Sequence, residues 1–196
     1  MQDADEIITV SEITKNTIVK HYDIAEEKIT VIRNATADLQ APIVRQPHVP
    51  TILFVARLEA QKSPQFAIEI ICAALKKVPE ARAIIAGKGT FLDTIRDLVK
   101  FKKLDTRIEV LGHIPYEKMH LVYQVSDVLI LPSASEPFGL VALEAAQSGA
   151  AVIMSDRCGA KETLHCAPQL SLNTTTSFNS WVDTTVNLLI DTQLRD

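Results

Sequence analysis

Two glutamates, Glu136 and Glu144, stand eight residues apart and have the clearest capacity for chemistry in this sequence. Glu136 precedes Pro137 in a turn-rich loop, where its carboxylate could accept hydrogen bonds from a sugar or exchange a proton. Glu144 lies in an apolar pattern typical of a helix, where its carboxylate could accept two hydrogen bonds from a vicinal diol such as a ribose. Plainer roles remain open: a charge at a helix start for Glu136 and an exposed helical position for Glu144.

Arg57 and Lys62 form a second group that could do chemistry. They flank the loop between a predicted strand, Thr51–Ala56, and a helix predicted to be capped and started by Ser63-Pro64. Two cations beside the N–H groups of a helix amino end could bind a phosphate. Taken alone, the same two residues are also typical of a solvated surface loop.

The elements that must position these residues alternate regularly after residue 50. Helical segments of about ten residues or more separate apolar runs, which is the pattern of βαβ units. The runs are continuously apolar, so both of their faces should be covered and the sequence predicts an α/β fold with a parallel sheet between two helix layers. The predicted strands are Thr51–Ala56, Ala81–Ala86, Arg107–Leu111, Asp127–Leu131 and Ala151–Met154, after two earlier ones at Glu6–Val10 and Lys28–Ile32.

Capping residues and helical spacing predict the helices. They run from Ser11 to about Tyr22, Ser63 to about Val78, Thr90 to about Lys103, Pro115 to Gln124, Phe138 to Gln147 and Ser177 to Ile190. The strand, loop and helix around Glu136 therefore form a ligand site of the open α/β kind.

Composition excludes several functional classes. A net charge of −4 gives no reason to expect nucleic acid, and the apolar runs are too short for a membrane span. Three dispersed cysteines indicate reduced thiols and a cytoplasmic setting.

Other familiar sites find little support. Gly87-Lys88-Gly89 favours a tight turn, with close approach of a ligand as the alternative. Neither G-x-G-x-x-G after the first strand nor G-x-x-x-x-G-K-[ST] is present, which argues against dehydrogenases and P-loop enzymes. A group made of Cys158, His165 and Cys166 fits no zinc spacing and lacks a fourth ligand, so no metal site is predicted.

Together these segments resemble the carboxyl-terminal half of retaining glycosyltransferases of the GT-B fold, in the group 1, or family 4, type. Ser135–Ala145 (SEPFGLVALEA) resembles that family's E-x7-E segment, and Ile52–Pro64 (ILFVARLEAQKSP) its strand-Gly-Arg-x-x-x-x-Lys-Gly segment. Further similar segments follow the family's order: Ala4–Lys15, Val31–Ala35, Ile84–Gly89, Val110–Pro115 and Ser155–Leu164. The resemblance implies a Rossmann-like domain that binds a nucleoside diphosphate sugar linked to uridine, guanosine or adenosine.

The resemblance also implies a role for each site residue. Arg57 and Lys62 would hold the diphosphate and stabilise it as it leaves. Glu136 would hold the transferred sugar and a phosphate oxygen, and Glu144 would bind the ribose hydroxyls. Backbone N–H groups of Phe138, Gly139 and Leu140 would assist Glu136, and Gly112 and His113 would border the base. No cofactor or metal is expected, because side-chain cations replace the metal.

The chain departs from the family pattern at several positions. Ala56 and Ser63 replace glycines, and Arg33 and Ala35 replace the Pro and Gly of a Pro-Asn-Gly sequence. Cys158-Gly159 stands where a Gly-Gly pair is common, and HCAPQLSLN, at 165–173, replaces a glycine-containing loop.

Length is the larger departure. The resemblance implies that residues 1–45 are the tail of an amino-terminal acceptor domain plus an interdomain linker, and that residues 46–196 form the nucleotide-sugar-binding domain. Arg33 to Pro50 holds three prolines and no sustained periodicity, which also indicates a boundary. On this view the chain is an excised part with Met1 as an added start, and it would not catalyse transfer alone.

The acceptor, a sugar or a lipid, is not identified, and any peripheral membrane attachment would lie in the missing half. Two other functions stay open: a GT-B-like UDP-sugar epimerase, and a binding or scaffolding module that keeps the fold without chemistry.

Overall fold

The amino-terminal part of the chain forms a small βαβ unit. Strands β1 (Ile7–Thr9) and β2 (Ile29–Val31) pair in parallel, and helix α1 (Glu12–Tyr22) connects them. Ser11 caps this helix as predicted, because its Oγ accepts a hydrogen bond from the backbone N–H of Thr14 at 3.1 Å.

The computed structural model describes residues 3–36, 49–164, 171–172 and 176–194. Most of the predicted linker between Arg33 and Pro50 therefore lies outside the described residues.

Six further strands form one parallel sheet, which confirms the predicted fold class. They are β3 (Thr51–Val55), β4 (Arg82–Ala86), β5 (Ile108–Gly112), β6 (Val128–Leu131), β7 (Ala151–Ser155) and β8 (Ser171–Leu172). Their order across the sheet is β5-β4-β3-β6-β7-β8, and each neighbouring pair is parallel. This is the doubly wound order, in which the winding direction reverses between β3 and β6.

Helices cover both faces of the sheet. They are α2 (Pro64–Lys77), α3 (Leu92–Phe101), α4 (Tyr116–Gln124), α5 (Leu140–Gln147) and α6 (Phe178–Ile190). Successive residues of β3 lie on opposite faces of the sheet: Phe54 belongs to a core with α2, α3 and α6, whereas Leu53 belongs to a core with α4 and α5. The edge strand β5 differs from the prediction of complete cover, since Glu109 and Leu111 are exposed.

One predicted helix cap and one predicted helix start are wrong. Helix α2 begins at Pro64, but the Ser63 side chain makes no capping bond. Ser63 also ends a 3-10 turn over Ala60–Lys62, and this double role places it at φ 50°, in the left-handed region. Thr90 does not begin α3, and its N–H and hydroxyl both donate hydrogen bonds to the Glu59 carboxylate, at 3.0 and 2.8 Å. Helix α3 therefore starts later than predicted.

The start of another helix and one short strand also differ from the prediction. Helix α5 begins two residues later than predicted, at Leu140, because Gly139 at φ 96° lies outside helical geometry. Strand β8 was not predicted, since two residues carry no recognisable apolar pattern. Ser177 does cap α6, where its Oγ accepts a hydrogen bond from the Ser180 N–H at 3.3 Å.

Arg107 joins the start of β5 to the end of α2. Its guanidinium donates hydrogen bonds to the carbonyls of Leu75, Val78 and Ala81 at 2.8–3.0 Å. A cation at a helix carboxyl end also interacts favourably with the helix dipole.

We expect Arg107→Met to lower the free energy of unfolding by about 2–3 kcal/mol, because hydrogen bonds to a charged donor are lost and carbonyls lose their partner. Urea unfolding followed by circular dichroism measures this change. The matched control is Lys76→Met, which removes an exposed charge from the same helix end and should cost less than about 0.5 kcal/mol. Equal losses in the two variants would contradict the capping role.

Candidate functional site

A cavity of about 450 Å³ opens where the loops that follow β3 and β6 face each other. This is the reversal point of the sheet, at the carboxyl ends of its strands, where open α/β proteins bind ligands. Most of its lining comes from these two loops: Arg57, Gln61, Lys62, Ser135, Glu136, Pro137, Phe138, Gly139 and Leu140. Six of the predicted site residues therefore meet in one cavity.

The loop after β3 holds Arg57 and Lys62 in different environments. Arg57 is exposed, and the next residue, Leu58, is fully buried and donates its N–H to the carbonyl of Lys88 at 2.9 Å. The Gly87-Lys88-Gly89 segment therefore anchors the backbone beside Arg57. Lys62 ends the 3-10 turn and is only 7% exposed.

Lys62 and Glu136 form an ion pair across the cavity. The Lys62 Nζ lies 2.6 Å from the Glu136 Oε2 and 3.4 Å from the carbonyl oxygen of Ser135. The side chains are 8% and 16% exposed, so both charges are largely removed from water. Desolvation is costly for such groups, and each charge therefore depends on the other for compensation.

Backbone hydrogen bonds hold the Glu136 loop against its neighbours. Gln61 accepts hydrogen bonds at its carbonyl from the N–H groups of Ala134 and Ser135, at 3.0 and 3.4 Å, which ties the two loops together. The Glu136 N–H donates to the carbonyl of Arg157 at 3.2 Å, and its own carbonyl accepts from Gly159 at 3.0 Å. The carboxylate of Glu136 is therefore carried on a backbone fixed at both sides.

Helix α5 presents its amino end to the cavity. Gly139, at φ 96°, turns the chain into the helix. Within the part of the chain that the structure describes, the backbone N–H groups of Phe138, Gly139 and Leu140 have no hydrogen-bond acceptor. Such groups, with the positive end of a helix, are suited to an anion.

The amino-terminal unit supplies the remaining wall of the cavity through Val10 and Asn34. Ser11 connects this unit to the site, since its Oγ donates a hydrogen bond to the carbonyl of Pro137 at 2.7 Å. Ser11 is fully buried and Pro137 is exposed, so this contact is partly shielded from water.

Glu162 forms a second connection to the amino-terminal unit. Its carboxylate accepts hydrogen bonds from the N–H groups of Glu12 and Ile13, at 3.0 and 3.1 Å, at the start of α1. Arg33 pairs with the same carboxylate at 3.1 Å. Among the described residues, the unit thus contacts the sheet part of the chain through hydroxyls of α1 and its cap, which reach the Pro137 carbonyl, and through the Glu162 carboxylate.

Three predicted site residues do not line this cavity: Glu144, Gly112 and His113. Glu144 follows Leu140 by one helical turn, so it continues the same face of α5 beyond the cavity. Its Oε2 accepts a hydrogen bond from the hydroxyl of Tyr123 at 2.6 Å. Gly112 ends β5, and the side chain of His113 is exposed.

No group of three possible metal ligands occurs among the described residues. His165 and Cys166 lie outside them. Cys158 is buried beside Phe138, and burial raises the pKa of its thiol to about 12, so it stays protonated. No helix in the described ranges is long and apolar enough to cross a membrane.

Sequence reasoning did not single out Gln61, Tyr123 or Val10 as site residues. Gln61 adjoins Lys62, and Asn34 lies in the similar segment Val31–Ala35. The resemblance to the family could therefore have indicated both as site residues. Val10 likewise lies in the similar segment Ala4–Lys15, whereas Tyr123 had no signal, because its contact with Glu144 depends on how two separate helices pack.

Comparison with known proteins gives a consistent family. The family model described as Glycosyl transferases group 1 matches residues 36–169. An uncharacterized glycosyltransferase of Methanocaldococcus jannaschii is 31% identical over 176 residues, which cover 81% of this chain and 44% of that protein. A glycogen synthase of Mycobacterium tuberculosis is 30% identical over 179 residues, covering 86% and 43%. The chain therefore spans less than half the length of these two relatives.

Solved structures share the fold. A point mutant of S. aureus TarM, in complex with Fondaparinux, alpha-GlcNAc-glycerol and UDP, superposes with a TM-score of 0.84 at 20% identity, over 97% of this chain and 38% of TarM. The C-terminal domain of a glycosyl transferase group 1 family protein from Francisella tularensis has a TM-score of 0.66 at 29% identity, over 74% and 78% of the two chains.

The geometry of Gly139 predicts a specific sensitivity to substitution. A Cβ at Gly139 would lie 2.8 Å from the Cys158 Sγ and 3.1 Å from the Glu136 Cγ. We expect Gly139→Ala to lower the free energy of unfolding by about 2–3 kcal/mol, because positive φ and crowding add together. Chemical denaturation of the purified variant measures the loss.

The control is Gly112→Ala. Gly112 is also at positive φ, 70°, but its Cβ would meet only the end of the Arg96 side chain at 3.8 Å. This variant should lose only about 1 kcal/mol from the backbone conformation. If Gly112→Ala costs as much as Gly139→Ala, crowding around Glu136 is not the cause.

Proposed function

Because this chain belongs to the glycosyl transferases group 1 family, we propose that it binds the nucleoside diphosphate sugar of a retaining glycosyltransferase. The enzyme would move a sugar from this donor to an acceptor. The match over residues 36–169 supports the enzyme class. The retaining outcome is proposed from the E-x7-E pattern of Glu136 and Glu144, which resembles that of retaining enzymes.

One observation carries the proposal: two cations and a helix amino end converge on one cavity. Arg57 and Lys62 line it together with the first residues of α5. When the bond between the sugar and the distal phosphate oxygen breaks, negative charge develops on that phosphate. Cations and N–H groups already in position stabilise this charge in the transition state, which accelerates the reaction. No metal is needed for this step in the proposal.

Arg57 and Lys62 would divide the work. Exposed Arg57 can attract the donor and follow its phosphates, whereas buried Lys62 offers a fixed charge. Lys62 has three N–H donors, and two of them donate hydrogen bonds to Glu136 and to the carbonyl of Ser135. The third can reach a phosphate oxygen while the ion pair with Glu136 is kept.

Glu136 would hold the transferred sugar. Its Oε2 is occupied by Lys62, which leaves Oε1 for a sugar hydroxyl. The N–H groups of Phe138, Gly139 and Leu140 would bind a phosphate oxygen beside it. We propose these roles together, since they require the sugar and phosphate to meet at the amino end of α5.

The nucleoside would lie beyond Leu140. Glu144, one turn further along α5, would bind the ribose hydroxyls, and Gly112 and His113 would border the base. The bound UDP in TarM supports a nucleotide in this fold. UDP, GDP and ADP are the candidate nucleotides.

The proposal extends to domain organisation. Residues 1–45 would be the end of an acceptor domain plus a linker, and residues 46–196 the donor-binding domain. The separate pairing of β1 with β2 supports this division. We expect no sugar transfer by this chain alone, since it matches less than half of each of the two relatives described above. The acceptor would be a sugar or a lipid.

Nucleotide titration tests the proposal directly. We expect the purified chain to bind at least one of UDP, GDP and ADP in calorimetry. Lys62→Met should weaken diphosphate binding by about tenfold or more, because a charged hydrogen bond to phosphate is lost. Binding of the matching nucleoside should change by less than about threefold, as it has no phosphate.

The control variant is Lys102→Met, which removes one exposed charge near the end of α3. It should bind the nucleotide as the unmodified chain does. Each variant is first checked by thermal unfolding, because Lys62→Met leaves Glu136 without its partner. A folded chain that binds none of the three nucleotides, or a Lys62→Met variant that loses nucleoside and diphosphate equally, would overturn the proposal.

A further inference from the structure

The side chain of Tyr123 makes a polar contact that the proposed function does not use. Its hydroxyl lies 2.6 Å from the Glu144 Oε2, the carboxylate proposed to receive the ribose. The two residues are 21 positions apart, on α4 and α5. A separation this short is typical of a strong hydrogen bond from a hydroxyl to a carboxylate.

The Tyr123 ring is fixed by packing. The residue is 3% exposed and belongs to the core that also contains Met119, Val122 and Ala145. A buried phenol rotates little in such a core and needs an acceptor for its O–H group. Its hydroxyl is therefore a rigid donor aimed at α5.

Glu144 has enough acceptor capacity for both partners. A carboxylate offers about four lone-pair positions, and the Tyr123 hydroxyl uses one of them on Oε2. Oε1 and the second lone pair of Oε2 remain for a vicinal diol, which donates two hydrogen bonds. Glu144 is only partly buried, so these positions can be reached.

We propose that Tyr123 is a positioning residue that holds the Glu144 carboxylate in the orientation required for the ribose of the donor. This inference rests on the proposed nucleotide site. Without the hydroxyl, the Glu144 side chain would sample several rotamers, and binding would have to select one of them at an entropic cost. The ring itself would not touch the ligand.

Burial, and secondly the hydrogen bond to Glu144, raise the pKa of the Tyr123 hydroxyl above its ordinary value. The phenol therefore stays protonated, and remains a hydrogen-bond donor, across the neutral pH range.

The test measures how much the two ribose hydroxyls contribute to nucleotide binding. The nucleoside diphosphate that binds best among UDP, GDP and ADP is titrated beside its 2′,3′-dideoxy form, and the ratio of the two dissociation constants gives the ribose preference. Tyr123→Phe keeps the ring and removes the hydroxyl. We expect it to lower the preference about three- to tenfold. Glu144→Gln should lower the preference at least as much, and the double variant should match Glu144→Gln.

Tyr116→Phe is the matched control, because Tyr116 lies on the same helix and is 69% exposed. Its ribose preference should equal that of the unmodified chain. Tyr123→Met, which also lacks a donor, replaces Tyr123→Phe if that variant does not fold. If Tyr123 has only a structural role, Tyr123→Phe should lower the unfolding temperature and leave the ribose preference unchanged.

The outcomes separate this inference from the proposed function. Absence of nucleotide binding in the unmodified chain overturns both. A ribose preference that depends on Glu144 but not on Tyr123 overturns only the positioning role. A preference that is lowered by both substitutions, without additivity in the double variant, supports it.

Discussion

The reversal of strand order between β3 and β6 is the constraint on which the site depends. These two strands are neighbours, yet the helices that follow them pack on opposite faces, α2 with one core and α5 with the other. Their loops must diverge as they leave the sheet. The path of the backbone therefore opens a crevice between them. Every residue proposed to touch the diphosphate lies on one of these two loops or at the start of α5.

The ion pair of Lys62 with Glu136 spans that crevice. Its contribution to fold stability can be compared with its use in binding a ligand. A largely buried pair contributes little net stability, since desolvation offsets most of the attraction, and an apolar pair of similar volume would serve the fold as well. Binding gives a better reason. The pair holds a cation and a carboxylate side by side, 2.6 Å apart, so that a phosphate and the sugar attached to it could be bound at once.

The sheet was largely predictable, because its central strands are continuous apolar runs and parallel strands buried on both faces require them. β8 was not, since Ser171 and Leu172 form no pattern. The meeting of Arg57, Lys62 and Glu136 followed from their place after strands that end at the same edge of the sheet. The ion pair between Lys62 and Glu136 could not be predicted, because it depends on the conformation of the loops. Ser63, next to Lys62, adopts a left-handed conformation that its sequence context did not predict. The contact of Tyr123 with Glu144 depends on how α4 packs against α5, and no local pattern encodes that.

The amino-terminal unit contacts the site directly, through a hydrogen bond to the loop that carries Glu136. Ser11 caps α1 and also donates to the carbonyl of Pro137, the residue after Glu136. Because the Ser11 hydroxyl is buried and joined to both, a shift of α1 must move the Glu136 loop or break that bond. Glu162 opposes such a shift by binding the N–H groups at the start of the same helix. The shape of the cavity is therefore set partly by the amino-terminal unit.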